Sequence, residues 1–326
     1  MARIRRCVIA LVLLVPAAIL AGVMAAPGRS SALPAQFIAY VNIPNGGLPD
    51  IWRMDPNGTN AVRLTTLGGD QPAISPDGSM IVFTSVRDGG DEEIYVMAAD
   101  GTGQTRLTSA PGRDVTPSWA PDGSRIVFTS DRTGHWQIFT MDPNGANVTQ
   151  VATNAYREVS AKFSPDGTRL VFSSNRSGTY CIWTMGIDGS SPFRVTTDTN
   201  GADYPSWAPD GSLIAFTSQR GSEPDTYTIA PDGTGESGPL AGQFTQWPEW
   251  SPDSTKIVVQ SPVGGNWDVY SMNRDGSGIT RLTTASGVDA VPFWGPGVPG
   301  YITTTTTSTT TSTTTPAGPI APAFTG

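Results

Sequence analysis

Asp70, Asp114, Glu158, Asp203 and Asp289 recur along the chain at near-constant spacing, and Gln246 stands where a further acid would fall. Carboxylates gathered in this way can hold a hard cation such as calcium or attract basic peptides. They can equally pair with Arg87, Arg132, Arg176 and Arg220, which recur shortly after them. Both readings stay open on the residues alone.

Other chemistry is thinly supplied. His135 is the only histidine, so a Ser-His-Asp triad has one candidate base and a multi-histidine metal site cannot form. It lies in Thr133-Gly134-His135-Trp136, where a solvated loop histidine is expected. There is no Gly-x-Ser-x-Gly elbow. Of the two cysteines, Cys7 falls in an apolar leader and leaves Cys181 alone. An internal disulfide and a cysteine-based zinc site are thereby excluded from the mature chain. No catalytic residue is assigned, and no cofactor is expected beyond a calcium ion at the acidic positions.

The elements that would position these acids are written in a repeat of about 44 residues. One turn recurs as Ser75-Pro76-Asp77-Gly78, Ala120-Pro121-Asp122-Gly123, Ser164-Pro165-Asp166-Gly167, Ala208-Pro209-Asp210-Gly211 and Ser251-Pro252-Asp253-Ser254, with a decayed copy at Trp294-Gly295-Pro296-Gly297. A second alternates with it in six copies, of which Met54-Asp55-Pro56-Asn57-Gly58 and Met141-Asp142-Pro143-Asn144-Gly145 are examples. Proline presets φ for the second turn position, Asp or Asn bonds its own backbone, and glycine takes the positive φ that follows. Between the turns lie short apolar runs rich in β-branched residues, such as Ile126-Val127-Phe128-Thr129. Four short strands per repeat is the arithmetic of a propeller blade.

The repeat starts out of phase. Residues 37–41, 51–54 and 62–65 supply the second, third and fourth strands of a blade, and residues 290–294 match its missing first strand. An all-β, six-bladed propeller of four-stranded antiparallel blades is expected, closed by the C-terminal strand beside the N-terminal ones. First strands are innermost in a propeller, so Asp70, Asp114, Glu158, Asp203 and Asp289 are expected to ring one mouth of the channel. Trp119, Trp207, Trp250 and Trp294, in register with Ile74 and Phe163, are expected to pack between blades rather than form a sugar platform.

The repeat resembles that of the TolB-like, WD-repeat-like propeller family. Residues 117–145 carry the resemblance well, through Pro117, Trp119, Pro121, Asp122, Gly123, Phe128, Ser130, Arg132, Gly134, Ile138, Met141 and Gly145. The resemblance spans about residues 36–297. It implies the propeller alone, without the N-terminal α/β domain of TolB, because the leader runs almost directly into the first blade.

The ends read differently. Residues 1–26 have a signal-peptide pattern: Arg3, Arg5 and Arg6, an uncharged apolar run with Pro16, then small residues up to Ala26. Residues 27–36 form a linker, 37–297 the propeller, and 298–326 a Thr/Ser/Pro-rich tail without a periodic apolar face. The net charge of -8 falls to -11 without residues 1–26, which disfavours nucleic acid as a partner. The expected protein is therefore a secreted or cell-envelope monomer. It is expected to be a non-catalytic binding or scaffold propeller for a protein, peptide or glycan, with a membrane contact only if the leader is retained as an anchor. The alternative is a carboxylate-metal-dependent hydrolase or lyase acting at the central channel.

Overall fold

The computed structural model describes residues 36–197 and 199–296. The signal peptide read at 1–26, most of the linker at 27–36 and the tail at 298–326 lie outside the described residues. Within them the secondary structure is strands and turns, with no helix.

Six antiparallel blades follow one another. Blade I holds β1 (Gln36–Ile43), β2 (Asp50–Met54) and β3 (Val62–Arg63), and is completed by β23 (Val288–Pro296). Blade II is β4 (Asp70–Ile74), β5 (Met80–Ser85), β6 (Glu93–Ala98) and β7 (Thr105–Arg106). Blade III is β8 (Asp114–Trp119), β9 (Ile126–Ser130), β10 (Gln137–Met141) and β11 (Thr149–Gln150). Blade IV is β12 (Glu158–Phe163), β13 (Arg169–Ser174), β14 (Cys181–Gly186) and β15 (Phe193–Arg194). Blade V has β16 (Ala202–Trp207), β17 (Ile214–Ser218) and β18 (Asp225–Ile229). Blade VI is β19 (Gln246–Trp250), β20 (Lys256–Ser261), β21 (Asp268–Asn273) and β22 (Thr280–Arg281).

The inner strands touch in the order β4, β8, β12, β16, β19, β23 and back to β4, which closes the ring. Closure is made by β23 pairing with β1, with Ile38 opposite Trp294 and Asn42 opposite Asp289. Joining the first and last described strands in one sheet gives β1 the inner partner it would lack in an open array. Blade V departs from the four-stranded pattern. Its outer edge is reduced to a single bridge between Thr228 and Ser237. Gly238-Pro239 follows, where other blades have an Arg-Leu-Thr-like run, and proline cannot donate to a ladder.

The core repeats with the sequence. Phe83, Phe128, Phe172 and Phe216 are fully buried at one position of the second strand of their blades, and Tyr40 and Val259 take the place in blades I and VI. Each phenylalanine contributes about 1.5–3 kcal/mol by burial. Phe83 stacks on Tyr95 at 5.7 Å and Phe128 on Phe139 at 5.8 Å. Arg87 and Arg132 lie over these pairs, 4.9 Å from the Phe83 ring and 4.9 Å from the Phe139 ring. The recurring arginines thus cover the ends of the blade cores.

The turns behave as their residue types require. In the Pro-Asp turn of blade II, the Gly78 amide donates to the Ser75 carbonyl at 2.8 Å, and Asp77 accepts from the Ser79 amide at 3.0 Å. In the second turn of blade III, Gly145 has φ +83, and a Cβ there would stand 2.5 Å from the Leu107 carbonyl oxygen of the preceding blade. Glycine is needed at that point both for the backbone conformation and for close blade packing.

Candidate functional site

The channel wall is built from the six inner strands, and each carries the same irregularity. Their pairing with the next strand slips midway, and one non-glycine residue per strand adopts a left-handed conformation. These residues are Gln71 (φ 50), Thr116 (51), Ser160 (56), Tyr204 (53), Trp247 (55) and Val291 (47). All six line one narrow cavity of about 40 Å³ at mid-channel. A left-handed non-glycine residue costs on the order of 1–2 kcal/mol, so the strain of the fold is concentrated in this wall.

The bulge leaves an amide to satisfy at each position, and the blades solve this in two ways. Four amides donate to a side chain of the preceding blade: Thr116 to Gln71 Oε1 (2.8 Å), Ser160 to Thr129 Oγ1 (3.2 Å), Trp247 to Thr217 Oγ1 (3.2 Å) and Val291 to Gln260 Oε1 (2.8 Å). The other two, Gln71 and Tyr204, donate to Asp70 Oδ1 and Asp203 Oδ1, both at 2.7 Å.

The structure divides the five recurring acids between two registers. Counted from the bulge, Asp114, Glu158 and Asp289 stand two residues before it, where blade II has Gly69. Asp70 and Asp203 stand one residue before it. Neighbouring strand residues point to opposite faces, so the five do not form one ring. Asp114 and Glu158 are fully buried and pair with Arg132 (2.7 Å) and Arg176. Asp289, also buried, accepts from Asn42 Nδ2 at 2.7 Å. In blade II, with Gly69 in place of such an acid, Arg87 donates to the Gly68 carbonyl at 2.6 Å. Arg220 pairs with Glu236. Burial raises the carboxyl groups of Asp70, Asp203 and Asp289 above the ordinary range. Asp70 lines a pocket of about 150 Å³ at its mouth beside Glu92, whose negative charge adds to its upward shift. Among the described residues no three His, Cys, Asp or Glu side chains converge closely enough to hold a metal ion.

Two residues of the channel were not among the recurring acids. The position just before the Trp/Phe register reads Ala73, Ser118, Lys162, Ser206, Glu249 and Phe293 around the ring. Lys162 of blade IV pairs with Glu249 of blade VI across the channel, and Glu249 also accepts from Ser206 Oγ at 2.7 Å. Phe293 stands 5.9 Å from the Lys162 amine, and Tyr204 stacks on Trp247 at 3.8 Å beside them. Burial pushes the Lys162 ammonium down to about 7. The signal was present in the sequence: these are the only charged residues at an otherwise small or apolar repeat position. Pairing between non-adjacent blades hid it.

Below this bar the channel opens into a second mouth, a bowl of about 330 Å³ formed at the Pro-Asp turns. Trp119 and Trp250 donate their indole N–H groups to the preceding blade, at Ala73 O (3.2 Å) and Ser206 O (3.1 Å). They pack between blades as their register predicts. Outside the channel, His135 Nε2 lies 2.9 Å from the Asn154 carbonyl, and Cys181 is buried at the start of β14.

The family model described as the TolB beta propeller domain matches residues 69–162 and 149–238, together just over half of the chain. No curated protein matches the sequence. Among solved structures, TolB of Acinetobacter baumannii is 22% identical with a TM-score of 0.70, over 82% of this chain and 69% of its own. A TolB-type protein of Agrobacterium tumefaciens is 20% identical with a TM-score of 0.64, over 79% of this chain and 91% of its own. The hydrazine synthase of Kuenenia stuttgartiensis shares the fold at 15% identity and a TM-score of 0.68, over 83% of this chain but 47% of its own. Identities this low carry the architecture and not the activity. With its repeats, ring closure and matched residues taken together, the chain belongs to the TolB β-propeller domain family.

Proposed function

We propose that this protein is a non-catalytic binding and scaffold propeller, exported to the cell envelope or beyond it, that recognises a protein, peptide or glycan. The observation that carries this reading is the bar of Lys162, Glu249 and Phe293 across the channel. It leaves about 40 Å³ at mid-channel, far below the few hundred Å³ of a small-molecule site. Recognition then falls to the rims and loop faces. At the mouth where the inner strands begin, Asp114 and Glu158 are paired with arginines and the buried Asp289 with Asn42, so Asp70 and Asp203 are the ligand-facing candidates. Export is supported by the charge and apolar pattern of residues 1–26.

Proximity labelling from the full chain in its native host, compared with a chain carrying Asp70→Asn and Asp203→Asn, tests the reading. Labelling of envelope partners that weakens in the variant is expected. A stoichiometric calcium or transition metal in the purified protein, with hydrolase or lyase activity lost on chelation, would replace it with the enzymatic alternative.

A further inference from the structure

The face opposite the Asp70 mouth has an unusual composition. Its bowl draws residues from all six blades, and none of its lining side chains is charged. Pro76, Pro121, Pro165, Pro209, Pro252 and Pro296 form its lip, while Trp119, Phe163, Trp207, Trp250, Phe293 and Trp294 form its wall and floor. The indole N–H groups of the four tryptophans are bonded within the protein, Trp207 to Gly211 O (3.2 Å) and Trp294 to Gln36 Oε1 (3.2 Å) as well as the two named above. What the bowl presents is therefore mainly ring edges and proline surface, with no indole donor seeking water.

Charge surrounds it. Each of the first five lip prolines is followed by an exposed aspartate: Asp77, Asp122, Asp166, Asp210 and Asp253. Hydrogen bonds from turn Ser and Thr residues hold these carboxyl groups below the usual range, and Asp210 lies at about 2 with Ser212 and Arg274 beside it. The second turns open on the same side, since both hairpins of a blade reverse at that end. They add Asp55, Asp100, Asp142, Asp188, Asp232 and Asp275 in a wider circle. Arg53, Arg125, Arg169, Lys256 and Arg274 offset fewer than half of these carboxylates.

We infer that this bowl is a docking site for a cationic peptide segment of a partner protein, whose proline or aliphatic centre fills the bowl while flanking lysines or arginines meet the aspartate circle. Proline-rich segments favour aromatic-lined grooves because their extended helix is already ordered before binding. An apolar centre with a charged rim is the usual division between affinity and steering at an interface. Charge complementarity decides among occupants. A second copy would bring the same acidic circle face to face with the first. The chain's own residues 297–326 contain no charged residue and would leave the circle unneutralised. This site is separate from the Asp70 mouth, so either can fail alone.

Fluorescence polarisation on the full chain tests the inference. The probe is a labelled synthetic peptide with a proline–leucine centre flanked by lysine pairs, set against the same centre flanked by glutamate pairs. The lysine probe binds, the glutamate probe does not, and raised salt weakens the complex. The triple variant Asp122→Asn, Asp166→Asn, Asp253→Asn keeps each turn's acceptor oxygen and weakens the lysine probe by on the order of tenfold, whereas Asp70→Asn with Asp203→Asn leaves it unchanged. Phe163→Glu abolishes binding; if that chain fails to fold, the rim variant still decides. No binding of the lysine probe, equal binding of both probes, or an unaltered rim variant overturns the inference. Displacement of the probe by a free peptide of residues 297–326 would give the bowl to the chain's own C-terminus. Self-association abolished by Phe163→Glu would give it to a second copy.

Discussion

Lys162 and Glu249 form an ion pair across the central channel from blades that are not neighbours, with Ser206 of the intervening blade bonded to the same carboxylate. The pair bridges the ring and narrows the channel at once. Breaking a buried pair from one side strands the other charge, whereas removing both sides does not. Glu249→Gln is expected to cost about 2 kcal/mol, below the fully buried range because both side chains keep some solvent contact. The double variant Lys162→Met, Glu249→Leu should recover most of that loss. Urea denaturation of the three chains checks the order; a double variant as unstable as the single one would contradict the account.

The same lysine makes stability depend on pH in a stated direction. An unfolded lysine titrates near 10.4, while Lys162 is pushed down to about 7. Between these values the unfolded chain holds the additional proton, so stability rises with pH from about 7 towards about 10, and the burial penalty is fully present below that window. Lys162→Met should flatten this rise. Thermal melts across the window in both chains measure it.

The two registers of acids should respond oppositely to amidation. Asp114→Asn removes the fully buried carboxylate that partners the part-exposed Arg132 and is expected to cost about 2–3 kcal/mol. Asp203→Asn keeps an oxygen for the Tyr204 amide and removes a charge whose pKa burial has raised. A carboxyl raised in the folded state loses stability as pH climbs through its folded value. Asp203→Asn should therefore be neutral or slightly stabilising at pH 7, with any gain vanishing near pH 4. Chemical denaturation at both pH values separates the two positions.

Val291 is the one β-branched aliphatic residue among the six left-handed bulges, with φ 47. Its Cβ methyl groups crowd the backbone there more than an amide or glycine would. Val291→Asn is expected to stabilise the protein by about 1 kcal/mol. Tyr204→Asn, at the matching position of blade V, should destabilise it, because it removes the ring stacked on Trp247 at 3.8 Å. Melting temperatures of the two variants should move in opposite directions.

The sequence by itself determined the repeat, the number of blades and their closure. The period of about 44 residues, the two alternating turns and the out-of-phase start leave only a C-terminal strand to complete blade I, as β23 does. Local chemistry suffices for this, since turn residues act through their own φ preferences and strands through alternation. The packing role of the tryptophans was legible in the same way, from register alone. The partners of the acids were not. Asp70 and Asp203 stand seven residues before the turn aspartates Asp77 and Asp210, while Asp114 and Glu158 stand eight before Asp122 and Asp166. That offset reverses the face each side chain occupies, but which face meets an arginine is set by how the bulged inner strand packs in its blade. Nor could local pattern bring Lys162 to Glu249, because their meeting depends on six blades closing around a narrow axis. Only the tertiary structure decided which acids are spent on arginines, what bars the channel, and that its far mouth is an uncharged bowl within a circle of aspartates.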